Sequence, residues 1–162
     1  MNASNVRPCT PDDLPALKRI IDAVGLFPAE LLDEMISFGP PPGDGDGPRE
    51  FWLVHDGDGG GVASPAGVAY CAPERMTEGT WNALLLAVHP DRQGAGLGAA
   101  LMRRTEAILA ARGERLLLVE TSGTDAFEAT RGFYARLGYE REAVVREYYG
   151  AGDDKVVFRK AL

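Results

Sequence analysis

The chain has 162 residues, of which 45% are hydrophobic and 25% charged, as is typical of one globular domain with room for a sizeable core. No apolar run approaches the roughly 20 residues that a membrane-spanning helix needs, so we expect no membrane protein. The formal net charge of -7 argues against a nucleic-acid partner, because duplex binding needs a cationic surface. The same charge is compatible with a cationic ligand such as an amine.

The cysteine content and the first residues indicate a cytoplasmic protein. Cys9 and Cys71 lie far apart and form no disulfide framework, so we expect free thiols in a reducing compartment. Residues 1–7 lack the charged-then-apolar order of a signal peptide.

The N-terminal half alternates strand and helix patterns with segments rich in glycine and proline. Thr10, followed by proline, marks a helix start. We predict strands over residues 6–9, 50–55 and 66–72, helices over 14–24 and 28–38, and loops over 39–48 and 56–63. In the second helix Leu31, Leu32, Met35 and Ile36 are expected to point inward.

No metal site is predicted. The aspartates in the loops 39–48 and 56–63 do not fit a calcium-binding loop, because proline or glycine stands where the third ligand is needed. The chain has two histidines, and no Cys/His cluster of the kind that binds zinc is present. One of the two, His89, directly precedes a proline, and we assign it a role in turn geometry.

The C-terminal half completes an α/β pattern of about seven strands, without an internal repeat or a second domain. We predict strands over residues 80–88, 115–121, 142–148 and 155–159, and helices over 94–112 and 126–137. The strands over 80–88 and 115–121 are largely apolar, as expected of central strands with both faces covered. We therefore expect a single domain over residues 1–162.

The most informative segment is residues 88–101, which reads VHPDRQGAGLGAAL. It joins the end of a strand pattern to the start of a helix pattern, with glycines at positions 94, 96 and 98. Such a turn directs several backbone N–H groups and the positive end of a helix dipole toward one point, which favours a di- or polyphosphate. A Walker A loop would need Lys-Ser or Lys-Thr, and the dinucleotide fingerprint needs a different glycine spacing.

Two motifs together resemble the GNAT superfamily of N-acetyltransferases. Residues 93–98, QGAGLG, resemble the loop of this superfamily that binds the pyrophosphate of acyl-coenzyme A. Residues 133–139, FYARLGY, look like the Phe-Tyr-x-x-Leu-Gly-Phe/Tyr element that follows its fifth strand. The resemblance covers residues 80 to about 148 and implies a mixed, mostly antiparallel sheet flanked by helices.

The resemblance implies acetyl-coenzyme A as co-substrate. Its pantetheine arm is expected in a split between the fourth and fifth strands, bound by the backbone of Leu86, Ala87 and Val88 as a peptide adds to a sheet edge. Its pyrophosphate is expected on the amides of Gln93, Gly94, Ala95, Gly96, Leu97, Gly98 and Ala99.

The resemblance also implies catalytic roles. Tyr134 is the expected general acid, since a phenol can protonate a departing thiolate; the alternative is a tyrosine that only packs. Many relatives use a glutamate on the fourth strand as base, but that strand has no acid here. Glu120, at the end of the apolar fifth strand, is the nearest substitute, and the alternative is an ion pair or a rim residue.

The implied activity is acetylation of a primary amine by direct attack on the thioester. The acceptor is left open between a small molecule, such as a polyamine, an amino acid or an aminoglycoside, and a peptide N-terminus or lysine. The acidic residues at 30, 33, 34 and 78 favour a cationic small molecule, and loops such as 39–48 are expected to form its pocket. The alternative is a non-catalytic acyl-coenzyme A sensor or regulatory module, which the missing strand-four glutamate favours. Dimerisation is common in the superfamily, and no residue here demonstrates it.

Overall fold

The computed structural model describes residues 5–41, 50–57 and 64–162. The strands are β1 Val6–Pro8, β2 Phe51–His55, β3 Gly67–Pro73, β4 Thr80–Val88, β5 Leu116–Ser122, β6 Glu140–Gly150 and β7 Asp153–Ala161. The α-helices are α1 Leu14–Val24, α2 Leu32–Met35, α3 Leu97–Ala111 and α4 Glu128–Arg136. Parts of both predicted loops, 39–48 and 56–63, lie outside the described residues.

The seven strands of the described residues form one sheet in the order β1-β2-β3-β4-β5-β7-β6. Every neighbouring pair is antiparallel except β4 and β5, which run parallel and are connected through α3. The predicted α/β fold, with a mixed and mostly antiparallel sheet flanked by helices, is therefore confirmed.

The sheet has a hydrophobic layer on each face. The layer under α3 and α4 includes Leu101, Met102, Leu109, Leu117, Val119 and Phe158. The layer under α1 and α2 includes Leu17, Ile20, Ile21, Leu32, Trp52 and Val68. Burial of these side chains, at about 1.5–3 kcal/mol each, supplies the main driving force that holds the helices on the sheet. The free thiols of Cys9 and Cys71 are buried, one in each layer.

A β-bulge in β4 reverses which side chains of the strand point to each face of the sheet. Tyr70 pairs with Leu85 and Cys71 with Ala83, so Leu84 is the extra residue. Side chains alternate along a regular strand, and one added residue reverses the alternation beyond it. Trp81 and Ala83 accordingly pack under α3 and α4, whereas Leu85 and Ala87 pack under α1 and α2.

The predicted split between β4 and β5 is present. The two strands pair only from Thr80 with Leu116 to Ala83 with Val119, although β4 continues to Val88 and β5 to Ser122. The separation begins at the bulge. Beyond it, the edge of β4 that faces β5 is free to bind an extended ligand.

The predicted second helix is largely wrong. Residues 29–31 form a 3₁₀ turn, α2 is four residues long, and Ile36 is extended with φ −81° and ψ 139°. Of the apolar side chains expected to point inward, Leu32 is buried, but Leu31 is 46% and Met35 38% exposed. Ile36 packs partly buried beside Leu32. A short helix is marginal without a packed face, and here half of the expected apolar face is exposed.

β6 and β7 are longer than predicted. Their pairing extends to Gly150 and Asp153, so the connection between the two predicted strands is reduced to a turn at Ala151 and Gly152. Cross-strand pairing stabilises glycine-rich ends that single-sequence propensity assigns to a loop. Within the described parts of the chain, no helix is long and apolar enough to cross a membrane.

Candidate active site

The glycine loop places free backbone donors at the start of α3. Gly94 and Gly96 have φ of +77° and +86°, a left-handed conformation that favours glycine, and Gly96 is the N-cap of α3. Among the described residues, the N–H groups of residues 94–99 have no hydrogen-bond acceptor. They lie where the helix dipole is positive, so an anion bound there is stabilised.

The residues before the loop hold it in shape. The amide side chain of Gln93 donates to the carbonyl of Val88 at 3.0 Å. The Gln93 N–H is already directed at the carbonyl of Pro90, at 3.4 Å, so Gln93 contributes its side chain rather than a free amide. Nδ1 of His89 accepts from the N–H of Asp91 at 3.2 Å, which confirms the predicted turn role of His89.

A cavity of about 470 Å³ lies between this loop, the free edge of β4 and α4. The predicted cofactor residues that line it are Leu86, Val88, Gln93, Gly94, Gly96, Leu97, Gly98 and Ala99. The sequence prediction missed Arg92 and Arg136, which add two cations to the lining. Gly98 allows close packing here, because a Cβ at this position would meet the ring of Phe133 at 3.3 Å.

The free edge of β4 offers alternate backbone groups to this cavity. The N–H of His89 donates to the carbonyl of Ala66 at 2.8 Å, and Ala87 is the register partner of Val68. Hydrogen-bonding positions alternate along an antiparallel pair, so Ala87 directs its N–H and carbonyl toward β3. Leu86 and Val88 direct theirs toward the split. Of the predicted cofactor residues, Ala87 and Ala95 are not among those that line the cavity.

Tyr134 lies at the inner end of the cavity and lines it. Its ring is buried against Phe133, Tyr139 and Phe158, with centroid separations of 5.1, 5.8 and 6.0 Å. No residue that the structure describes forms a hydrogen bond with its hydroxyl. Burial raises the pKa of Tyr134, so the hydroxyl keeps its proton through the neutral range.

Glu120 lies on the opposite face of the sheet, just beyond the last residue pair between β4 and β5. Its Oε1 accepts from Asn82 Nδ2 at 3.2 Å and from Lys155 Nζ at 3.4 Å, and its side chain is 29% exposed. Burial and the nearby charge of Glu120 raise the pKa of Tyr149. The ion pair considered from the sequence is present, and the carboxylate also keeps access to solvent.

A second cavity, of about 610 Å³, lies on this face next to Asn82. We call it the acidic cleft; its lining includes Glu50, Tyr70, Glu74, Arg75, Asn82 and Leu84. None of the acidic residues singled out from the sequence lines it, and Asp33 is instead paired with Lys18 at 2.7 Å. The one available signal was Asn82, the single strongly polar side chain within an apolar strand.

The two cavities lie on opposite faces of the sheet and both adjoin β4 where it separates from β5. Tyr134 is on the glycine-loop side of this opening and Glu120 on the acidic-cleft side. The arrangement allows a nucleophile to enter from one face and a leaving group to be protonated on the other. Within the described ranges, no group of three or more His, Cys, Asp or Glu side chains could hold a metal ion.

Comparison with known proteins identifies the family. The model of the acetyltransferase (GNAT) domain matches residues 47–141, more than half of the chain. A crystal structure described as an acetyltransferase of the GNAT family from Desulfovibrio desulfuricans is 33% identical, with a TM-score of 0.78 over 96% of this chain and 97% of that one. The chain belongs to the GNAT acetyltransferase family and is an acetyl-transferring enzyme.

More distant structures share the fold. An aminoglycoside 6'-N-acetyltransferase complexed with coenzyme A is 18% identical, with a TM-score of 0.73 and coverage of 96% of both chains. The ribosomal-protein-S18-alanine N-acetyltransferase from Escherichia coli is 22% identical, with a TM-score of 0.71 over 96% of this chain and 92% of that one. No curated protein sequence matches the chain at a significant level.

Proposed function

We propose that the protein transfers the acetyl group of acetyl-coenzyme A to a primary amine by direct attack. The observation that carries this proposal is the opening between β4 and β5, where a cavity suited to an anionic cofactor and an acidic cleft suited to an amine adjoin from opposite faces. Two structural relatives are named for aminoglycoside and protein-alanine acceptors, so a small molecule and a peptide are both candidate acceptors.

The residues present fit acetyl-coenzyme A, which supplies an activated thioester when bound. The free N–H groups of residues 94–99 suit its pyrophosphate, and Arg92 and Arg136 supply positive charge in the same cavity. The backbone N–H and carbonyl of Leu86 and the N–H of Val88, directed toward the split, suit the amide-containing pantetheine arm, which can add to the strand edge.

The proposed proton transfers use one residue on each face. Glu120 accepts the proton that the amine must lose before it can attack, directly or through water. Tyr134 donates its hydroxyl proton to the departing sulfur; the acylated nitrogen releases its second proton to solvent, and the phenolate regains one from solvent. The Tyr134 hydroxyl and the departing sulfur share one desolvated region, where burial disfavours a phenolate and a thiolate alike. A tyrosine with a raised pKa can therefore still protonate the sulfur.

An amine panel tests the proposed function. Purified protein with acetyl-coenzyme A should release free thiol, detected colorimetrically, in proportion to an added primary amine, with the acetylated amine confirmed by mass spectrometry. Omission of the amine is the control for hydrolysis. Tight coenzyme A binding by calorimetry without thiol release on any amine or peptide would contradict the proposal and indicate the sensor module instead.

The cofactor loop gives a further prediction. Gly96→Val forces a β-branched residue into the left-handed conformation, which should turn the loop amides away and raise the Kd for acetyl-coenzyme A at least about tenfold, or 1.4 kcal/mol. The measurement is titration calorimetry.

The matched control for this variant is Gly113→Val. Gly113 is also left-handed, with φ +77°, but it lies at the other end of α3, away from the cavity. It should lower the melting temperature comparably and leave the Kd unchanged. An unchanged Kd in folded Gly96→Val protein would remove the loop from the cofactor site.

A further inference from the structure

The acidic cleft contains a buried polar group whose bonding is incomplete. Asn82 is 2% exposed and lines the cleft. Its Nδ2 donates to Glu74 Oε1 at 2.8 Å and to Glu120 Oε1 at 3.2 Å. Because carboxylates flank this nitrogen and can only accept, the orientation of the amide is determined.

The other end of the same amide lacks a donor. Asn82 Oδ1 is buried and has no hydrogen-bond partner within the described part of the chain. A buried acceptor without a donor is costly, and a ligand that supplies an N–H group removes the cost. A ligand with an N–H donor is therefore expected at this point of the cleft, next to Glu120, the proposed base.

The charges of the cleft indicate a cationic ligand. Glu50 accepts a hydrogen bond from the hydroxyl of Tyr70 and Glu74 accepts from Asn82, but neither forms an ion pair with any residue that the structure describes. Among the described residues, Arg75 is the single cation of the lining, and it is exposed. Glu120, in contrast, already has Lys155 as its partner.

We propose that the acceptor is a small amine that carries a second cationic group, such as a diamine. Asn82 Oδ1 accepts an N–H of the reacting amine beside Glu120, and Glu74 and Glu50 bind the second ammonium group. The volume of about 610 Å³ is that of a small-molecule site. This inference rests on the proposed function and names the substrate class of the same site.

The test compares 1-aminobutane with 1,4-diaminobutane, which differ only by the second amine. In calorimetric titrations with coenzyme A present, the diamine should bind at least about tenfold more tightly, and the same preference should appear in kcat/KM. Glu74→Gln should reduce the preference to within about threefold, and Asn82→Leu should weaken diamine binding at unchanged coenzyme A affinity.

The matched control is Glu78→Gln, which removes the same charge from the connection between β3 and β4 at an exposed position outside the cleft; it should leave the preference unchanged. Equal affinity for the two amines, an equal effect of Glu74→Gln and Glu78→Gln, or turnover confined to peptide N-termini would overturn the proposal. Should Asn82→Leu fail to fold, the Glu74→Gln comparison decides alone. The binding arm needs no turnover, so an inactive protein that still prefers the diamine would contradict the proposed function and leave the cleft only as a diamine-binding site.

Discussion

Tyr134→Phe should lower turnover by about 10²-fold with little change in the affinity for acetyl-coenzyme A. The substitution keeps the buried ring and its contacts with Phe133, Tyr139 and Phe158 and removes only the hydroxyl. Without its proton, the sulfur must depart as a thiolate in a desolvated cavity. Steady-state kinetics with a saturating amine, together with calorimetry of coenzyme A binding, measure the two effects separately.

The control for this prediction is Tyr139→Phe. Tyr139 is also a buried tyrosine of the same layer, but its hydroxyl donates to Glu106 at 2.7 Å and does not line the cavity. Its loss should affect stability and change turnover by less than about threefold. Turnover of Tyr134→Phe within the same limit would show that Tyr134 only packs. Since burial raises the pKa of Tyr134 above its usual value near 10, Tyr134 should impose no alkaline limb on the pH profile below pH 10.

Glu120→Gln should lower the rate at neutral pH by about 10²-fold, because the amide keeps the shape of the side chain and cannot accept the proton. An alkyl amine holds its proton up to about pH 10. Raising the pH supplies more free amine and should partly restore the rate of the variant. The acidic limb of its pH profile should therefore lie at higher pH than that of the unaltered enzyme.

The surroundings of Glu120 define the control. Lys155, Asn82 and Tyr149 face it, and Glu74 acts on it through Asn82. Glu106→Gln removes a comparable carboxylate, which accepts from Lys160 at 3.0 Å in the α3 layer, and should leave the pH profile unchanged. An acidic limb that is the same in Glu120→Gln and the unaltered enzyme would assign the proton transfer to another group.

Local patterns were sufficient for most of the elements. The alternation and apolar runs predicted the seven strands, and the apolar spacing predicted α1, whose Leu17, Ile20 and Ile21 are almost fully buried. The predicted second helix is shorter because half of its apolar face, Leu31 and Met35, is exposed and has no place in the core. β6 and β7 are longer because the two strands pair with each other up to Gly150 and Asp153, which a single segment cannot reveal.

The cofactor loop was predictable because, like most of the elements, it depends on a local pattern. Free donors at a helix start depend on the glycines at 94, 96 and 98 and on the helix that follows, all within one short segment. The sequence could name Leu86, Ala87 and Val88 together as cofactor residues, but it could not show which of them direct their backbone groups toward the cofactor. Their backbone direction depends on the register with β3, which only the sheet fixes.

The acidic cleft was decided by tertiary structure alone. Asn82 meets Glu74 from the end of β3 and Glu120 from β5, residues that are 8 and 38 positions away in the chain. The bulge at Leu84 reverses which side chains of β4 point to each face of the sheet. Simple alternation along residues 80–88 therefore assigns half of the side chains to the wrong layer. A sequence by itself determines what its neighbouring residues can form. Which distant carboxylates come together around Asn82 follows only when strand register and the bulge place them on one face of the sheet.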